Sequence, residues 1–199
     1  TGVTAILVTH DPQEASRIAD RVVRLTEIAR QPERSDDDEV VEVSTEATHD
    51  LRLRVLRYDT PSKNVDYAHD AWPGTVHLAV RRAGALIGVS TWTPEAWVDD
   101  PGRSAIRLRG MAVDRSLQRS GVGATLVHAG LERAWAEGAD IVWASARDSA
   151  LGFYRRLDFV VVGDAFIDET TALPHHWIVR YRPGVEPSFT PESGTPARR

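Results

Sequence analysis

The sequence contains no cysteine and a single methionine among its 199 residues. The lack of cysteine excludes a disulfide framework, a thiolate metal site and a cysteine nucleophile. No apolar run is long enough to span a bilayer, and no segment has the basic start and apolar middle of a secretory signal. We therefore expect a cytoplasmic protein without a membrane span.

Excess charge of one sign is confined to one segment. Residues 27–50 contain nine acidic and two basic residues, whereas the rest of the chain contains 20 acidic and 22 basic residues. A nearly neutral body lacks the basic patch that nucleic-acid binding usually needs, so we expect no nucleic-acid partner. The acidic segment is interpreted as a solvated linker.

Composition divides the chain into four regions. Residues 1–26 have a compact apolar pattern, and the acidic linker covers residues 27–50. Residues 51–182 carry sustained strand and helix patterns and form the predicted main domain. Residues 183–199 combine proline with glycine, serine and threonine, which predicts a disordered tail.

The first region has the pattern of a buried strand, Ala5–Val8, followed by Thr9-His10-Asp11 and a capped helix. It resembles the switch-histidine segment of ABC transporter ATPases, and by that resemblance His10 would sense the nucleotide γ-phosphate. The sequence has no G-x-x-x-x-G-K-[ST] loop to hold phosphates, which excludes ATP hydrolysis. We interpret residues 1–26 as an ATPase-like fragment; the alternative is an ordinary strand–turn–helix unit.

Hydrophobic periodicity predicts the elements of the main domain. Alternating apolar residues predict a strand at Leu51–Arg57, and residues 61–72 are expected to form an irregular, partly helical wall. A stripe of Ala124, Val127, Leu131 and Ala134 predicts a helix over residues 121–137. The remaining predicted strands are residues 76–80 and 85–92, joined as a hairpin, and residues 105–113, 141–144, 159–163 and 176–181, with a further helix at 149–157. The expected fold class is α+β, with a mostly antiparallel sheet and flanking helices.

The most informative segment is R-G-M-A-V-D-R-S-L-Q-R-S-G-V-G, from Arg109 to Gly123. It predicts an apolar strand that enters a glycine-bearing loop, which in turn begins a helix. Backbone N–H groups at such a helix start form a binding site for a pyrophosphate. Downstream stands a second motif, F-Y-R-R-L-D-F, from Phe153 to Phe159.

In this order, the two motifs resemble the GNAT family of acyl-CoA-dependent N-acetyltransferases over about residues 51–182. The resemblance implies a sheet whose central strands splay around the acyl-CoA. It implies acetyl-CoA as co-substrate, no metal, and a primary amine of a small molecule or peptide as acceptor. Homodimers are common in the family, and the sequence leaves the oligomeric state open.

The resemblance also implies which residues act on the cofactor. Tyr154 matches the tyrosine that protonates the leaving thiolate, and His175 is the candidate base, although a structural histidine on a strand edge is an open alternative. Asp158 replaces the usual glycine, at a position that favours a left-handed turn. The cofactor-binding residues implied are Met111, Ala112 and Val113 on the strand, Gln118, Arg119, Ser120, Gly121, Val122, Gly123 and Ala124 in the loop and helix start, and Ser145 and Ser149.

The predicted function is acyl transfer from acetyl-CoA to an amine by direct attack. The alternative is a catalytically silent module that binds acyl-CoA and serves regulation. Turnover distinguishes the two, because a silent module needs the loop but neither Tyr154 nor a base.

Overall fold

The computed structural model describes residues 38–187. The predictions for residues 1–26, for the first part of the acidic segment and for most of the tail lie outside the described residues. Within residues 38–187, no helix is long and apolar enough to cross a membrane.

One mixed sheet of seven strands organises the described chain, in the spatial order β1-β2-β3-β4-β5-β7-β6. All neighbouring strands are antiparallel except β4 and β5, which are parallel. The strands are β1 (Glu39–Val43), β2 (Val76–Arg82), β3 (Ala85–Pro94), β4 (Ala105–Val113), β5 (Ile141–Arg147), β6 (Val160–Asp168) and β7 (Leu173–Tyr181). The α-helices are α1 (Thr45–Leu51), which continues as a π-helical turn (Arg52–Leu56), α2 (Val122–Ala136) and α3 (Leu151–Arg155). Short 3-10 turns lie at Ala68–Ala71, Arg115–Leu117 and Asp148–Ala150.

The predicted strand at Leu51–Arg57 is wrong, because this segment is helical. Leu51, Val55 and Leu56 pack together against the sheet, which is a helical spacing, whereas Leu53 is 46% exposed. Leu51, Leu53 and Val55 alternate in the sequence as strand residues would, but they do not share one buried face.

The domain also begins earlier than the sequence predicted. Strand β1 lies in the acidic segment interpreted as a linker, and it pairs with β2 from Glu39 opposite Arg81 to Val43 opposite His77. Its glutamates are exposed while its valines pack against both faces of the sheet. Glu39 and Glu42 are thus exposed on an edge strand, where charge discourages pairing with other chains.

The core lies on both faces of the sheet. Helix α2 covers one face, where Val127, Leu131 and Ala134 of the predicted stripe are buried and Ala124 is partly buried. On the opposite face, α1 packs over β2, β3 and β4 through Leu51 and its neighbours. A separate cluster on that same side of β5 and β7 contains three tryptophans, Trp97, Trp143 and Trp177.

Candidate functional site

A cleft opens between the two central strands. β4 and β5 pair only from Ala105 opposite Ile141 to Arg107 opposite Trp143. Beyond that point β4 stays paired with β3 as far as Val113, and β5 stays paired with β7 as far as Arg147. The two central strands therefore diverge while each keeps its outer neighbour, which confirms the predicted splay and leaves one edge of β4 facing a gap.

A β-bulge at Gly110 sets what β4 presents to this gap. Gly110 and Met111 together oppose Ser90 on β3, and Gly110 has a φ of +55°. A Cβ on Gly110 would lie 3.0 Å from Nε of Arg52 and from a ring carbon of Tyr67. This glycine thus allows both the backbone twist and the close approach of the first helix.

The bulge also reverses the side on which Met111 lies. By strict alternation Met111 would share a face with Arg109, yet it packs against the core beneath α2. Ala112 and Val113 then alternate normally, Ala112 toward α1 and Val113 toward α2. Met111 consequently projects into the cleft from the side of α2.

The loop before α2 leaves backbone donors without helical acceptors. Gly121 caps the helix with a φ of +94°, and the N–H of Thr125 donates the first helical hydrogen bond to Gly121 at 3.0 Å. The N–H groups of Val122, Gly123 and Ala124 precede that bond, so they have no partner within the helix. A Cβ on Gly123 would lie 3.1 Å from Cε of Met111, so this end of the helix adjoins the cleft.

The side chains of the loop hold its shape. The Gln118 amide donates to the carbonyl of Val113 at 3.4 Å, and the Ser120 hydroxyl donates to that of Leu117 at 2.6 Å. Arg119 is exposed and has a φ of +68°. These contacts orient the backbone donors toward the space in front of α2.

Tyr154 lies at the inner end of the cleft. Its hydroxyl donates to Sδ of Met111 at 3.6 Å, and its ring stands edge-on to Phe153 and Phe159. Burial raises the pKa of the Tyr154 hydroxyl well above its usual value, so the group keeps its proton near neutral pH. A buried phenol whose acceptor is a thioether is a proton donor with a weak partner.

The predicted residues on β5 and β7, Ser145 and His175, lie on the face of the sheet that carries Trp177. Tyr154 belongs to the core cluster on the other face, together with Ile178 of β7. The structure therefore does not bring His175 into contact with Tyr154; its Nδ1 instead bonds the Leu173 carbonyl at 2.9 Å. His176 points the other way and bonds Asp148 at 2.8 Å.

The predicted cofactor-binding serines, Ser145 and Ser149, differ in exposure. Ser145 lies on β5 opposite Trp177, and its hydroxyl is buried with no hydrogen-bond partner among the described residues. Ser149 is exposed in the turn before α3. Asp158 has a φ of +60°, as the sequence predicted for the turn after that helix. Among residues 38–187, no group of three or more histidine or acidic side chains could hold a metal ion.

Sequence reasoning missed a charged cluster on the face opposite α2. Glu95 accepts hydrogen bonds from Arg107 and Arg109, each at 2.8 Å. Burial tends to raise the pKa of Glu95, but the bonds from the two arginines outweigh it and lower the pKa. The alternation of Arg107 and Arg109 just before Gly110 was the available signal.

Two of the tryptophans near the sheet belong to the core, and a third is exposed. Trp92 and Trp97 are 3% and 1% exposed and pack in different clusters, whereas Trp72 is 44% exposed and contacts His69. The aromatic rings that border the charged cluster are those of Trp143 and Trp177.

Comparison with known proteins agrees with this architecture. Residues 45–159 match the family model described as the acetyltransferase (GNAT) family. The chain is 31% identical over 128 residues to the uncharacterized N-acetyltransferase YitI of Bacillus subtilis (strain 168), and the match covers 64% of this chain and 86% of that protein.

Solved structures show the same fold. Escherichia coli ElaA superposes with a TM-score of 0.60 at 19% identity, covering 72% of this chain and 99% of that one. An acyl-CoA N-acyltransferase from Pseudomonas aeruginosa superposes with a TM-score of 0.59 at 21% identity, with the same coverage of 72% and 99%. The divided sheet, the glycine loop before α2 and the matched residues 45–159 all lead to one conclusion: the chain belongs to the GNAT family and is an N-acetyltransferase.

Proposed function

We propose that this protein transfers an acetyl group from acetyl-CoA to the primary amine of a small molecule or peptide. The observation that carries the proposal is the convergence of the α2 start, Met111 and Tyr154 on one cleft. The acyl-CoA supplies an activated thioester. The residues of the chain bind it, orient it and manage the protons.

The described residues fit such a ligand. The N–H groups of residues 122–124 and the positive end of α2 suit a pyrophosphate. The unpaired edge of β4 at Met111–Val113 suits the amide-bearing arm, which would lie along it like an added strand. The lack of a Cβ on Gly123 lets the methyl group of Met111 and the ring of Phe153 lie close to the start of α2.

The proposed reaction is a direct displacement. The amine first loses a proton, because an alkylammonium has no electron pair with which to attack. The amine nitrogen then forms a bond to the carbonyl carbon as the carbon–sulfur bond breaks. We assign Tyr154 as the acid that gives its proton to the departing sulfur, and His175 as the base that accepts the proton from the amine. His175 lies on the face opposite α2, from which an acceptor would enter.

The first test is calorimetric titration of the full chain with acetyl-CoA, with ATP as the control ligand. Saturable binding of acetyl-CoA alone supports the proposal, and transfer is then followed by thiol release, for which the cysteine-free chain gives no background. Absence of acetyl-CoA binding would overturn it. Binding without transfer to any amine would favour the silent acyl-CoA-binding module.

Gly121→Val is expected to weaken acetyl-CoA binding by about 100-fold or more. The φ of +94° is costly for a β-branched residue, so the loop would change shape and its N–H groups would no longer converge. Calorimetry measures the effect. The control is Gly138→Val at the other end of α2, where φ is +87° and the added side chain meets open space. Equal affinity of Gly121→Val and the parent protein would contradict the loop assignment.

Tyr154→Phe is expected to lower kcat by about 100-fold, with little change in acetyl-CoA affinity, because only the proton donor is lost. Steady-state kinetics and calorimetry measure the two quantities. The matched control is Tyr181→Phe, which removes another buried hydroxyl at the far end of β7 and should leave kcat unchanged. An unchanged kcat in Tyr154→Phe would place the acid elsewhere. In the same series, an unaltered pH profile in His175→Asn would exclude His175 as the base.

A further inference from the structure

Two arginines of β4 share one carboxylate on the face of the sheet opposite α2. Nη1 of Arg107 and Nη2 of Arg109 donate to the two oxygens of Glu95. The three side chains are 15%, 20% and 22% exposed, so the cluster is half-buried but open to solvent. A small ligand can therefore reach it.

The two guanidinium groups share hydrogen bonds to a single carboxylate, that of Glu95. Burial and the neighbouring Arg109 lower the pKa of Arg107, although Glu95 and Asp168 both act to raise it. Asp168 is already bound to the N–H and hydroxyl of Thr171, each at 2.9 Å. The Nε groups of Arg107 and Arg109 are buried, and neither has a hydrogen-bond partner among the described residues. The bonds to Glu95 use Nη1 of Arg107 and Nη2 of Arg109, which leaves the other terminal nitrogen of each guanidinium to donate to an incoming anion.

The cluster lies at the mouth of the cleft. Arg107 is the last β4 residue paired with β5, and Arg109 is the first arginine past that point. Met111, which Tyr154 contacts, follows Arg109 across the bulge at Gly110 and has its side chain on the opposite face of the sheet. An anion bound at Arg109 would thus lie beside the point where β4 and β5 separate.

The arrangement is also held in place. The Arg107 guanidinium lies over the ring of Trp143, 4.2 Å from its centroid, and 5.6 Å from that of Trp177. Trp143 is itself fixed, because its indole N–H donates to the carbonyl of Glu95 at 2.9 Å. Such support makes the donors rigid before a ligand arrives, which lowers the entropy cost of binding.

We propose that the acceptor is a free amino acid, whose carboxylate binds to Arg109 and Arg107 while its amine reaches the cleft. The inference rests on the proposed acetyl transfer and narrows its acceptor. Arg109 and Met111 are separated along β4 by the bulge residue Gly110 alone, which favours an amine and a carboxylate within one small molecule. In a peptide, the N-terminal amine and the C-terminal carboxylate are separated by the intervening residues.

The test compares each of the common amino acids with its carboxamide as acceptor, with acetyl-CoA and thiol release as the readout. We expect kcat/KM to be at least tenfold higher for the preferred amino acid than for its amide. The amide has the less basic amine, so a larger share of that amine is neutral at pH 7. A preference for the free acid therefore comes from the carboxylate and not from amine basicity.

Variants of Arg109 assign the preference to this cluster. Arg109→Gln is expected to raise KM for the amino acid by about 10- to 100-fold, with kcat/KM for the amide and the affinity for acetyl-CoA unchanged. Arg109→Lys keeps the charge without the planar donor fork and should retain part of the preference. The control is Arg133→Gln, which removes a guanidinium from the exposed side of α2.

Each outcome decides the inference. Equal use of acids and amides, or a preference for amides, overturns the inference and leaves acetyl transfer intact. A preference for acids that survives in Arg109→Gln equally overturns it. Acetyl-CoA binding with no transfer to any acid overturns the amino-acid acceptor, whereas failure to bind acetyl-CoA overturns the proposed function as well.

Discussion

Asp70→Asn is expected to lower the free energy of unfolding by about 3–5 kcal/mol, as is typical when one partner of a buried ion pair is removed. The Asp70 carboxylate accepts hydrogen bonds from both Nη groups of Arg52, at 2.6 and 2.9 Å. The Arg52 side chain is fully buried and also donates to Thr91 and to the carbonyl of Val65. The substitution keeps the shape of the site but leaves the guanidinium without its counter-charge. Denaturant unfolding measures the loss.

The control for this prediction is Asp50→Asn. Asp50 accepts a hydrogen bond from Arg54 at 2.8 Å, but its side chain is 79% exposed, so its loss should cost less than about 1 kcal/mol. Arg52→Met in the Asp70→Asn background removes the stranded charge and should restore part of the stability. If Asp70→Asn and Asp50→Asn lowered the free energy of unfolding equally, burial of the Arg52–Asp70 pair would contribute nothing to stability.

The same pair predicts how stability depends on pH. Burial tends to raise the pKa of Asp70, but the hydrogen bonds from Arg52 outweigh it, so the pKa is lowered in the folded protein. The contribution of the pair is therefore fully present above the ordinary aspartate value of about 3.9 and is lost as the pH falls through the lower folded value. The difference between the parent protein and Asp70→Asn should shrink in that acidic range.

Gly130→Ala is expected to destabilise the protein by about 3 kcal/mol or more, although alanine is the better helix former. A Cβ on Gly130 would lie 1.8 Å from a ring carbon of Trp92, which is 3% exposed. The ring would have to move, and its N–H would lose the bond to the Ser90 hydroxyl at 2.9 Å. Thermal or denaturant unfolding measures the change.

A second glycine in a helix supplies the matched control. Gly152 lies in α3, and the only atom that its added Cβ would meet is the end of Arg156 at 3.8 Å, so Gly152→Ala should be neutral or stabilising. Trp92→Leu in the Gly130→Ala background frees the space and should cost less than the sum of the two single changes. If the effects of Gly130→Ala and Trp92→Leu on the free energy of unfolding were strictly additive, the close approach of α2 to β3 would be contradicted.

The β2–β3 hairpin, β4 and α2 were predictable, because their apolar residues recur at the spacing of the element and are buried in the core. The helical turns after Thr45 imitate a strand because apolar residues alternate with arginines there, and one of those arginines, Arg52, is buried by a counter-charge rather than exposed. Hydrophobic patterning carries no signal for a buried ion pair.

Some features of the candidate site could likewise be predicted from the sequence, and others could not. The loop before α2 is contiguous in the chain, so its glycines could be recognised in the sequence. The contact of Tyr154 with Met111 joins residues 43 positions apart, and it depends on the bulge that turns Met111 toward α2. The pairing of Glu95 with two arginines depends likewise on the register between β3 and β4, which no short sequence window contains.

Met111 can serve as an NMR probe of the cleft. It is the single methionine of the sequence, and its methyl group and the ring of Phe153 both lie beside Gly123. Methionine labelled with carbon-13 in its methyl group therefore places one NMR signal at the centre of the cleft, where ring currents shift it. Occupancy of either side of the divided sheet would then be read from that one resonance, without a mutation or an attached dye.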